Sequence, residues 1–77
     1  MTLDEIKIGE RFRVAGFVSD DKSLVARLRE IGFAEEDEVE LLHTGPLGRR
    51  PLCVRLNRTM IALRRDEASA IEVEPVA

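Results

Sequence analysis

A mainly β fold is what this 77-residue chain predicts: a small, partly closed barrel of about five short strands with one α-helix inserted after the first. Three observations carry that expectation. Polar and apolar residues alternate in separate short runs, the period of strands that bury one face. One stretch, Leu24 to Ile31, places apolar side chains at clear helical spacing. Strands this short would present bare edges unless the sheet curls toward closure. The length suits a single domain over residues 1–77 with one small core, and no linker, internal repeat or low-complexity segment divides it.

In chain order, Thr2-Leu3-Asp4-Glu5 has the form of a capping box and predicts a short helical turn with Leu3 and Ile6 facing inward. Arg11-Phe12-Arg13-Val14-Ala15 alternates and predicts the first strand, ended at Gly16 by a bulge. Ser19, Asp20 and Asp21 then offer an N-cap, and Leu24, Val25, Leu28 and Ile31 share one helical face. The helix end is equally legible. Arg27 and Arg29 lie near the negative end of the dipole, with Ile31 as C-cap. Gly32 takes the left-handed position after it, and Phe33 packs back on Leu28, as in a Schellman motif.

Val39, Leu41 and His43 fall on one parity, and beyond a loop Leu52, Val54 and Leu56 alternate with Cys53, Arg55 and Asn57. Facing both apolar sets inward requires partner numbers with an odd sum, and closing the loop gives 95, which pairs Leu41 with Val54 and Glu40 with Arg55. The same parity sends His43 and Cys53 to opposite faces. A second hairpin turning on Asn57-Arg58 pairs Leu56 with Thr59, Val54 with Ile61 and Leu52 with Leu63. Asp66 caps a short turn through Ala70, and Ile71-Glu72-Val73 alternates as the last strand.

Charge is unevenly spread. The net charge is −3, yet Arg49 to Arg65 carry +6 with no acid, while residues 1–48 carry −5 and residues 66–77 carry −4. An acidic chain without tyrosine or tryptophan lacks the phosphate-neutralising surplus and stacking rings of a nucleic-acid binder, so no nucleic-acid partner is expected. A lone cysteine, Cys53, gives no disulfide framework and fits a reducing, cytoplasmic setting. No run approaches the roughly 20 apolar residues of a membrane span, so no direct membrane insertion is expected. One histidine, one cysteine and no nucleophile beside an orienting base predict no catalytic site. His43 and Cys53 leave a structural metal two ligands short, and Glu35-Glu36-Asp37-Glu38 lacks the spacing and glycine of a calcium loop. The expectation is therefore no metal and no cofactor.

Between the second and third strands stands Gly45-Pro46-Leu47-Gly48-Arg49-Arg50-Pro51. A phosphate cradle of Walker type needs a lysine and a hydroxyl at a helix start, and this segment has neither and runs into a strand. Its glycines and prolines are turn chemistry. Leu47 is left over, an apolar residue at the tip of a stiff loop flanked by arginines. Pro46, Leu47, Gly48, Arg49 and Arg50 are the expected partner-binding set.

Four stretches in order, Val14-Ala15-Gly16-Phe17, "LREIGF", "GPLG" and "IALRRDEASAIEVE", make nearly the whole chain resemble the FeoA proteins, small accessory components of bacterial ferrous iron uptake. The resemblance implies an SH3-like barrel, a cytoplasmic location and docking on the cytoplasmic part of FeoB, the membrane iron transporter that carries a GTP-binding domain. It also implies an alternative, because the same fold forms the C-terminal domain of iron-dependent repressors: a transition-metal-responsive regulatory module. Three departures stand out. The family often has glycine near Glu36 and in the turn at Arg58. It also commonly reads Pro-Leu-Gly-Asp-Pro where this chain has Pro46-Leu47-Gly48-Arg49-Arg50-Pro51, which reverses the charge of the loop.

Overall fold

Five antiparallel strands and one principal helix make up the computed structural model, which describes residues 1–48 and 50–76. A 3₁₀ turn, Leu3–Glu5, leads into β1 (Arg11–Phe17), α1 (Lys22–Ile31), β2 (Glu38–Thr44), β3 (Leu52–Leu56), β4 (Thr59–Leu63), α2 (Arg65–Ala68) and β5 (Ile71–Pro75). Their order in the sheet is β4-β3-β2-β1-β5. The sheet thus curls without closing, and its seam lies between β4 and β5, the two strands that α2 joins. Inside it, the inward parity of every strand meets Leu3, Ile6, Leu28 and Phe33 in one core. Each such side chain contributes about 1.5–3 kcal/mol by leaving water.

Local chemistry explains the elements. The Thr2 N–H donates to the Glu5 carboxylate at 2.6 Å, as the capping box requires. Asp21 is the N-cap of α1 and accepts from the Leu24 N–H at 3.1 Å. At the other end the Phe33 N–H donates to the Leu28 carbonyl at 3.1 Å and the Gly32 N–H to the Arg29 carbonyl at 3.1 Å, the bond pair of a Schellman motif. Gly32 has φ +131°, a conformation that a side chain would strain. Just beyond, Arg29 forks onto Glu35 at 3.0 and 3.1 Å and stacks over the Phe17 ring at 4.5 Å. That pairing holds the Glu35 carboxyl below its ordinary range and the Arg29 guanidinium above its own.

Four expectations need correction. Gly16 does not end β1: the bulge falls between Val14 and Gly16, and pairing with β5 continues to Phe17. The apolar face of α1 is not uniformly buried, since Leu28 is enclosed, Leu24 and Val25 are half-buried and Ile31 is 42% exposed. The helix meets the barrel at its middle and leaves its end in water. Asp66 is not the cap of α2. Arg64 is, because the buried carboxylate of Glu67 accepts the Arg64 N–H at 2.8 Å and so starts the helix two residues earlier.

The fourth concerns register. Val39↔Leu56, Glu40↔Arg55 and Leu41↔Val54 pair as expected, and so do all the predicted partners of β3 and β4. Between Leu41 and His43, however, the register shifts, so His43 lies opposite Cys53 and Thr44 opposite Leu52. One extra residue in β2 reverses its parity and puts His43 and Cys53 on the same outward face.

Candidate functional site

The loop from Gly45 to Pro51 is shaped by a close approach of the chain to itself. A Cβ on Gly45 would stand 2.1 Å from the Arg50 carbonyl oxygen and 2.6 Å from the Pro51 ring, so only glycine fits. The Gly45 N–H donates to the Pro51 carbonyl at 2.8 Å and closes the base. Gly48 turns the tip with φ +64°. Two side chains brace it, one from within and one from outside: Arg50 Nε donates to the Leu47 carbonyl and Arg65 Nη1 to the Gly48 carbonyl, each at 3.4 Å. Pro46, Leu47, Gly48 and Arg50 all lie in the exposed turn, with Leu47 76% exposed. Arg49, the fifth member of the expected set, lies outside the described residues.

Beside the loop runs an open cleft of about 830 Å³, lined by Leu47, Arg50 and Pro51 on one side and by Arg64, Arg65 and Ser69 on the other, with Asp4 and Asp66 at its rim. Three guanidiniums face two carboxylates there, so the cleft favours anionic groups while Leu47 and Pro51 supply apolar wall. The α2 side of the cleft was missed from sequence. Its signal was the arginine run itself, because Arg64 and Arg65 close the +6 segment that begins in the loop. Glu67 holds this side in place: only 8% exposed, it also takes the Arg27 guanidinium at 3.3 Å and ties α2 to α1.

The cross-strand pair His43 and Cys53 supplies two soft donors on the outer face. A tetrahedral ion needs four, and among the described residues no group of three or more His, Cys, Asp or Glu side chains comes together. The described residues therefore do not by themselves form a four-ligand site. Among the described residues no helix is long and apolar enough to cross a membrane.

The family model of the FeoA domain matches residues 1–75. The chain belongs to the FeoA family. It is 33% identical over 73 residues to an Fe(2+) transport protein A of Campylobacter jejuni, covering 95% of this chain and 96% of that one. It is also similar to the Stenotrophomonas maltophilia FeoA crystallised with zinc and described as a procaryotic SH3 domain protein, at 34% identity and a TM-score of 0.83 over 96% of this chain and 89% of that one. A manganese-dependent transcriptional repressor shares the fold alone, at 20% identity and a TM-score of 0.85 over 99% of this chain and 41% of its own. The SH3-like barrel implied by the FeoA resemblance is thus the fold observed.

Proposed function

We propose that this FeoA chain is a cytoplasmic, non-catalytic docking protein of ferrous iron uptake, which seats its loop 45–51 on the cytoplasmic part of an FeoB-type membrane transporter. The observation that carries the reading is Leu47, 76% exposed on a loop held by Gly45, Arg50 and Arg65. Burying such a side chain is worth about 1.5–3 kcal/mol, and a loop already braced loses little freedom on binding. Arg50, Arg64 and Arg65 around the cleft speed encounter with an acidic surface and fix orientation. The iron-transport name of the Campylobacter relative supports the pathway.

The test is a titration of the soluble cytoplasmic domain of an FeoB transporter at low and moderate salt. Wild-type affinity is expected to fall with salt, and a Leu47→Ala, Arg49→Ala, Arg50→Ala variant is expected to bind at least about tenfold more weakly. Unchanged binding by the variant overturns the loop assignment. No binding by the wild-type chain overturns the partner.

A further inference from the structure

The sheet has two outer strands, and β4 is uncovered along its free side. It pairs with β3 alone, and among the described residues no backbone hydrogen bond joins residues 59–63 to anything beyond β3. The two-residue turn Asn57-Arg58 closes on the pair Leu56↔Thr59, which exchanges both of its hydrogen bonds. Alternation along the ladder then turns the N–H and C=O of Met60 and Ala62 away from β3, toward the free side. The strand Thr-Met-Ile-Ala-Leu has no charge, no proline and no bulge, the devices that normally blunt an edge. Met60 is 65% exposed, and even the inward Ile61 is only half-buried.

We propose that this edge is a strand-addition site for an extended, acid-flanked segment of a protein partner. Charge selects the occupant. Arg58 and Arg64 bracket the strand six residues apart, on the outward parity of Met60 and Ala62, and both are exposed. A second copy paired antiparallel about Ile61 would set Arg58 against Arg64 at both ends, and a parallel copy in register would set each arginine against itself; like charges directly opposite are unfavourable. A segment with acids six residues apart meets both arginines, and its alternate apolar side chains turn inward. There the end of α1 offers apolar surface, since a Cβ on Gly32 would stand 3.8 Å from a Leu56 methyl and Ile31 is 42% exposed. The edge shares Arg64 with the cleft beside the docking loop but does not use Leu47, so Leu47→Ala leaves it intact.

The test uses the full chain labelled with nitrogen-15 and titrated with the blocked heptapeptide EVTVTVE, whose acids are spaced to meet Arg58 and Arg64. Shift changes centred on residues 58–64 are expected, with exchange of the Met60 and Ala62 amides slowed at least about fivefold and that of Ile61, already bonded to β3, little changed. The peptide KVTVTVK is expected to do neither. Arg58→Glu, in an exposed turn, should weaken EVTVTVE by about two- to fivefold and favour KVTVTVK. Ala62→Pro removes an outward N–H that the fold does not use and should abolish binding. Equal response to both peptides, or shifts confined to the loop 45–51, overturns the site. Met60 and Ala62 amides that are already slow in the free protein and quicken on dilution place a second copy there and overturn the assignment of a partner segment.

Discussion

The strands β4 and β5 bound the same sheet, but β5 is closed off by its own chain whereas β4 is left to solvent. Along β5, Thr2 bridges Glu72, the Val73 N–H donates to the Met1 carbonyl at 2.8 Å and the Met1 ammonium reaches the Glu72 carboxylate at 3.0 Å. Glu74 pairs with Arg13 at 3.0 Å, and Pro75 ends the strand with a residue that cannot donate. Nothing comparable protects β4. The charge asymmetry of the sequence therefore has a spatial meaning: the acidic C-terminal segment lies on the covered edge, and the arginines from Arg50 to Arg65 frame the open edge, the loop and the cleft. One edge of the sheet is covered by its own chain, and the other is left open.

The sharpest way to break that contrast is to truncate the same residue type on each strand. Ile71, on β5, is fully enclosed, whereas Ile61, on β4, is half-buried. Ile71→Ala is expected to destabilise by about 3 kcal/mol and Ile61→Ala by about half of that, read from urea denaturation midpoints. Equal losses would mean that β4 is as well covered as β5.

A smaller effect should follow acidification, and on the β5 side only. The Thr2 N–H and hydroxyl hold the Glu5 carboxyl below its ordinary value of 4.5. A carboxyl lowered on folding stabilises fully above its unfolded value, and that contribution is lost as pH falls through the folded one. Protection of the Val73 amide, which bonds Met1, should therefore decline below pH 4.5, while the β4 amides show no such step. In Glu5→Gln the acid step should vanish, with Val73 less protected at neutral pH. An unaltered step would place its origin elsewhere.

What was legible in the sequence was whatever a local rule or a parity fixes. The Schellman end of α1 follows from Leu28, Gly32 and Phe33 alone, and the β3–β4 register, with that of β2–β3 as far as Leu41, follows from keeping leucines and valines inward. What escaped depended on distant partners. The bulge after Leu41 leaves no mark in composition, yet one extra residue brings His43 over Cys53. Glu67 reads as a surface acid until α1 supplies Arg27 and α2 its own first N–H. The family glycines missing near Glu36 and at Arg58 are answered unequally: Glu36 itself takes φ +79°, whereas in the second turn the positive φ falls on Asn57, which tolerates it. The loop residues were found because proline, glycine and an orphan leucine are visible locally, while the far wall of the cleft needed α2 to fold beside them.

The smallest expected effect separates folding from recognition at β4 itself. Met60 points outward, opposite Arg55, which already reaches Glu40 at 3.5 Å. Met60→Glu removes an apolar side chain that the core does not use and places a carboxylate across from a guanidinium, an exchange worth between zero and about 0.5 kcal/mol in favour of the fold. Stability in urea should hold within about 0.5 kcal/mol of wild type, and solubility should rise, because a charge now sits on the open edge. A loss above about 2 kcal/mol would show that Met60 is packed rather than presented, and the difference between the two edges would collapse. If the fold is indifferent to Met60, its side chain is presented to solvent rather than packed, and the difference between the two edges stands.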